Sequence, residues 1–162
     1  MPSFLRQCGS ITKYTLVDLL EEVAIIGVLV AISIPIFTSQ LEKSRDAVTV
    51  ANVRSAYAQA ASAYLVSNGK AVTDAGDGVT VAAPDTDGSV SVTVDHVAVK
   101  GTNDADLSNL ETELPFTLSA DNIKDLHQVA GKEGANGYVK ITFKYAKNAS
   151  EPTVASIVAG TK

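Results

Sequence analysis

The chain has 162 residues, 46% apolar and 19% charged, with 13 basic against 18 acidic side chains and a formal net charge of −5. That size suits a single domain, and the apolar content excludes wholesale disorder. The acidic balance argues against direct nucleic-acid binding through a broad basic face, and the lone Cys8 excludes an intramolecular disulfide and, with no His or Cys at ligand spacing, does not suggest zinc.

Residues 1–13 contain Arg6 and Lys13 and no acid, so the positive-inside rule puts this short basic segment in the cytoplasm. Leu16 to Phe37 follows, LVDLLEEVAIIGVLVAISIPIF. As a helix rising ~1.5 Å per residue it reaches roughly 33 Å, enough to cross a bilayer. Its cleanly apolar part is Val23 to Phe37, with Asp18, Glu21 and Glu22 on the approach. A carboxylate costs about 2.5–3.5 kcal/mol at the centre of a membrane helix and less near an interface. The remainder of the chain is expected outside the membrane. A secretory signal peptide shares the basic start and apolar stretch, but it ends in a small-residue cleavage site. Here the stretch runs on into a second helical pattern.

From Phe37 to Leu65, the residues Val50, Val53, Tyr57, Ala60, Ala61, Tyr64 and Leu65 recur three and four apart, with Glu42, Lys43, Arg45, Asp46 and Arg54 interspersed. The spacing predicts an amphipathic helix whose stripe packs on the chain's own globular part; heptads are not sustained, which disfavours a coiled coil. Asn68 and Gly69 supply a stop. Residues 14–37 and 38–69 thus read as two halves of one helix, with Gly27 and Pro35 inside it, and Pro35 predicts a kink.

Residues 70–89, rich in Asp, Gly, Thr, Ala and Pro, read as a loop. Ser89 to Lys100 alternates through Val94 and reads as a strand. A turn is expected at 103–106 and a short helix or irregular segment at 107–114. A helical turn capped by Asp121 is expected at 121–129. Gly137 to Lys147 reads as a strand with Val139, Ile141, Phe143 and Tyr145 on one face. A turn at 148–151 precedes a last strand from Thr153 to Val158. Three or so antiparallel strands laid on the Val50–Leu65 stripe give an α+β head over residues 70–162.

Tyr14 to Leu20, YTLVDLL, and Ala24 to Pro35, AIIGVLVAISIP, resemble the N-terminal signature of type IV pilins and pseudopilins. The likeness covers residues 14 to about 65, and the continuation is most similar to pilins of Gram-positive anaerobes. The resemblance implies the pilin fold: a long helix, membrane-embedded in its first half, on an antiparallel-sheet head. It implies a leader over residues 1–13, cut by prepilin peptidase between Lys13 and Tyr14. The new amine at Tyr14 would then meet Asp18 of a neighbouring subunit, each charge being costly alone in an apolar setting. It implies a homo-oligomeric helical filament, or assembly with minor pilins, driven by an ATPase and a membrane platform protein. Gly27 and Pro35 would mark a stretch that loses helicity during extraction. Pilus, secretion and competence roles share this helix.

Four positions depart from the family. Lys13 stands where the family has glycine before the cut, Asp18 where it has glutamate, and Glu21 and Glu22 where it is aliphatic. With Asp18 the two glutamates form an i, i+3, i+4 set on one helix face. They read as tolerated acids near the cytoplasmic interface or as contacts to a basic partner subunit. The alternative function is a membrane-anchored surface binding or adhesion protein that never polymerises.

Other candidates are His96, His127 and a set of loop acids. The histidines lie far apart in sequence, no GxSxG, HExxH or P-loop pattern accompanies them, and the chain does not read as an enzyme. Asp74, Asp77, Asp85 and Asp87 suggest loop calcium but miss the twelve-residue pattern, and solvated loop acids are the favoured reading. No cofactor and no metal site are expected. Asn148-Ala149-Ser150 is a formal glycosylation sequon, discounted in a bacterial-looking protein.

Overall fold

The computed structural model describes residues 15–101, 114–116, 118–130, 136–147 and 151–160. The leader, Lys13, Tyr14, the turn at 103–106, most of the 107–114 segment and the Asn148 sequon lie outside the described residues. The fold is α+β. A long helix α1 (Leu16–Ser67) precedes strands β1 (Val79–Val81) and β2 (Val90–Ala98), helix α2 (Ala120–Ala130), and strands β3 (Tyr138–Tyr145) and β4 (Thr153–Ala159). The chain divides into two compact units, residues 1–39 and 40–162.

In the second unit the C-terminal half of α1 packs on a four-stranded antiparallel sheet of order β1-β2-β3-β4. The helix buries Asp46, Thr49, Val50, Val53, Ala56, Ala60, Ala63 and Ser67, a three-and-four stripe in which small alanines allow close approach to the sheet. Facing it are Val92, Val94, Val139, Ile141 and Phe143, each at most 2% exposed. Aromatic rings lock the layers: Tyr57 lies 5.1 Å from Phe116 and 6.1 Å from Phe143, and Tyr64 stacks on Tyr145 at 4.3 Å. Leu65, expected on this stripe, is 76% exposed. The stripe passes through Ala60, Ala63 and Ser67, so the helical rotation of about 100° per residue carries Leu65 off it. Asn68 and Gly69 adopt φ of 49° and 74°, and Lys70 N–H donates to Ser67 O at 3.0 Å, ending the helix.

The strands keep the expected faces in β3, where Val139, Ile141, Phe143 and Tyr145 are buried and the residues between them half-buried. In β2 the phase changes. Val90, Val92 and Val94 point inward, and so do Val97 and Val99. A bulge between Val94 and Val97 absorbs the extra residue, and His96 sits there at φ 62°. The other sheet face is polar: Thr93 and Thr142 hydroxyls meet at 3.1 Å, and Lys140 Nζ lies 3.2 Å from Asp95.

Two further expectations are corrected. Residues 70–89 are not all loop, because Val79–Val81 pairs with β2 and Val72 bridges Val81. Three residues are too few to show a period of two, and pairing with β2 supplies the order. The cap of α2 is Ser119, whose Oγ accepts from Asn122 N–H at 3.1 Å; Asp121 instead lies in the first turn, where its charge complements the helix dipole.

Candidate functional site

In the first unit, α1 is apolar and exposed on every side. From Leu16 to Phe37, every Leu, Ile, Val and Phe is between 47% and 75% exposed. Every buried side chain among the described residues lies at Asp46 or beyond. The first segment is therefore no part of the head's core. At about 25 cal/mol per Å² of apolar surface, covering so large an area with lipid or other protein would be strongly favourable. The helix is long and apolar enough to span a membrane.

Its N-terminus is closed by a reciprocal cap. Thr15 N–H donates to Asp18 Oδ2 at 3.0 Å, and Asp18 N–H donates to Thr15 Oγ1 at 3.3 Å. This is the capping-box arrangement, with Asp in the place usually held by Glu or Gln. Glu21 and Glu22 continue the acidic face, both exposed. Tyr14, the expected partner in assembly, lies outside the described residues.

Apart from its own helical backbone and chain neighbours, Gly27 has no described atom within 4 Å of where a Cβ would stand, so no packing contact among the described residues demands glycine there. Pro35 lies inside the helix, which is assigned as continuous through it; the missing N–H forgoes one ladder bond to Ala31. Ser33 Oγ donates to Leu29 O at 2.7 Å, and Thr38 Oγ1 lies 3.2 and 3.0 Å from the Ile34 and Pro35 carbonyls. Both hydroxyls thus turn back onto the helix, which satisfies them in an apolar setting.

In the head, a polar ladder on α1 grips the end of β2, which sequence reasoning missed. Thr49 Oγ1 donates to Lys100 O at 2.6 Å and accepts from Lys100 N–H at 2.8 Å, and Asn52 Nδ2 donates to Ala98 O at 2.8 Å. Asp46, wholly buried, places Oδ1 3.7 Å from Nε2 of His127 on α2. A Cβ at Gly101, whose φ is 82°, would collide with the Asp46 carboxylate. The signal available was the i, i+3, i+6 spacing of Asp46, Thr49 and Asn52 along a buried stripe. His96, by contrast, is exposed, at the β2 bulge, in a shallow pocket that Asn52 and Asp95 also line.

The loop acids divide between two turns. Asp74 Oδ1 accepts from Gly76 N–H at 3.0 Å. Asp87 Oδ1 accepts from the Ser89 hydroxyl at 2.6 Å and from Ser89 N–H at 2.9 Å, and these two bonds hold its carboxyl below the usual carboxylate range. Lys144 Nζ lies 3.5 Å from Asp85 and 3.8 Å from Asp87. Among the described residues no three His, Cys, Asp or Glu side chains converge as a metal site. The arrangement as a whole is chemically simple: an apolar helix with acids at one end, joined to a head with a polar outer face.

No family model, no curated protein and no solved structure matches this chain.

Proposed function

We propose that this chain is a structural subunit of a type IV pilus-like filament, stored in the membrane and polymerised through α1. The observation that carries the reading is the division of labour along one helix. Residues 16–37 expose apolar side chains all round, while the core of the head begins at Asp46. Such a segment can exchange lipid for neighbouring copies of itself without disturbing the head. Asp18 then supplies a single register point, a carboxylate for the amine that cleavage would create at Tyr14 of the next subunit. The short N-terminus lies in the cytoplasm before assembly, and the head is displayed outside the cell. Prepilin peptidase, an ATPase motor and a platform protein act on it.

A second reading is favoured by specific residues. Lys13 in place of glycine, together with Glu21 and Glu22, fits a membrane-anchored surface binding protein that never polymerises. Intact mass or N-terminal sequencing of the membrane-extracted protein, alongside electron microscopy of the cell surface, separates the two. A chain starting at Tyr14 together with filaments is expected. A chain retaining residues 1–13 on cells without filaments overturns the filament reading in favour of the anchor.

A further inference from the structure

Strand β2 outruns its neighbour. β1 pairs with it only over Val92 to Val94, and one further bond, from Asp95 N–H to Gly78 O at 3.1 Å, closes the ladder. Past that point no described strand flanks β2 on this side, and α1 supplies a wall instead.

The bulge turns this gap into a pocket. The irregularity between Val94 and Val97 puts His96 at φ 62°, a conformation uncommon for a non-glycine residue, and bulges re-aim side chains in this way. Gly78, at φ 76°, leaves room for the ring: a Cβ there would stand 2.6 Å from the imidazole Cδ2. The cavity holds about 150 Å³, and its polar lining is Asn52, Ser55 and Gln59 of α1 with Asp95 and His96 of the bulge.

The chemistry of this lining selects a ligand class. Asp95 is its one acid, and the carboxylate is already engaged by Lys140 Nζ at 3.2 Å and by His96 N–H at 2.8 Å. A carboxylate in the wall repels an anion, and the Lys140 ammonium is spent on it. An incoming cation finds the same carboxylate already paired. Strand addition is blocked as well. Val99 N–H donates to Gly137 O at 2.8 Å, so Val97 and Val99 bond toward β3 and Ala98 faces the gap. The Ala98 carbonyl accepts from Asn52 Nδ2 at 2.8 Å, which takes the acceptor that an added strand would need. What remains is two carboxamides, a hydroxyl and an imidazole, groups that between them donate and accept. Their complement is neutral, compact and rich in hydroxyls.

The pocket also adjoins a longer hollow. Ser55 and Gln59 line a second cavity of about 870 Å³, which continues along α1 to Ser62 and Lys70. A chain of several units can therefore fill both.

We propose that the head binds a neutral glycan, with a terminal sugar in the bulge pocket and the next units along the α1 groove. Sugar hydroxyls donate and accept at once, which matches the carboxamides of Asn52 and Gln59, the Ser55 hydroxyl and the His96 imidazole. Every one of these residues lies in the second unit. Binding thus needs neither cleavage nor polymerisation and goes beyond both readings of α1.

The test uses the full-length chain in a detergent without a sugar headgroup. Saturation-transfer NMR and isothermal titration follow glucose, galactose, mannose and N-acetylglucosamine, their short oligomers, and inorganic phosphate as the anionic comparison. Saturable binding of at least one neutral sugar is expected, with its oligomer binding more tightly. Q59A, at an exposed position of α1, and H96A should each weaken binding about tenfold, the loss of one or two hydrogen bonds. T80A lies outside both cavities and should not. Near-ultraviolet dichroism like the parent's shows that each variant folds. Absence of sugar binding, binding that Q59A and H96A leave unchanged, no gain from added sugar units, or a preference for phosphate overturns the proposal. D18A should bind as the parent does, so the outcome is independent of the filament reading.

Discussion

Thr15 and Asp18 cap one another: each backbone N–H donates to the other's side-chain oxygen, at 3.0 and 3.3 Å. The carboxylate proposed to receive a neighbour's amine therefore already has a local use. Capping is worth about 1 kcal/mol and needs only an acceptor oxygen, whereas register setting needs the charge.

Asp18→Asn separates these two uses. The amide keeps an acceptor for Thr15 N–H but carries no charge. Both D18A and D18N are expected to abolish filaments while membrane insertion persists, measured by electron microscopy and membrane fractionation. Normal filaments from D18N would assign Asp18 to capping alone.

Glu21 and Glu22 sit on the exposed helix with nothing apolar to hide them. Replacing both with Val removes two charges that each cost up to about 3 kcal/mol if they enter the bilayer. Membrane insertion and filament yield should rise, as read by carbonate extraction and pilus shearing. A fall in filament yield instead points to a basic partner subunit that needs them.

Thr49→Val removes one hydroxyl, with its two hydrogen bonds to Lys100 and its longer one to the Arg45 carbonyl, while conserving shape. The Lys100 N–H and C=O lose the partner that holds them to α1. A loss of about 1–3 kcal/mol follows from leaving such groups unsatisfied. It should appear as a lower thermal midpoint of the full chain in detergent, followed by near-ultraviolet tyrosine dichroism. Gly101→Ala should act in the same direction, because it combines a positive φ with a clash against Asp46.

Tyr145 gives a pH-dependent signature. Burial first, then the neighbouring Tyr57 and Tyr64, raises its phenol to about 12. The folded value lies above the unfolded one near 10, so this group's contribution is complete below pH 10 and is lost as pH rises through 12. Its hydroxyl is buried with no hydrogen-bond partner among the described residues. Tyr145→Phe keeps the stack on Tyr64 and should leave stability equal or raise it by about 1 kcal/mol. It should also remove the tyrosine step displaced toward pH 12 from the absorbance at 295 nm.

Much of the architecture was legible because it rests on local periodicity. The Val50, Val53, Ala60 spacing announces a buried helical stripe, and Val139 to Tyr145 announces a half-buried strand, since side-chain direction follows directly from backbone geometry. The stop at Asn68-Gly69 was readable for the same reason. β1 was not legible, because a three-residue strand has no period and is defined by its partner. Nor was the His96 bulge, although the change from even-numbered to odd-numbered inward valines after Val94 is its trace.

The sequence by itself determined a helix apolar and long enough to span a membrane, its acidic start and an α+β head, all consequences of composition and spacing along the chain. Only the tertiary structure decided that Asp46 faces His127, that Thr49 grips Lys100 and that β4 is last in the strand order. Those relations join residues about fifty or more positions apart, or depend on which strand lies outermost, and no local pattern encodes either. They arise when the sheet closes on the helix, where burial favours pairing of polar groups and one strand must be last.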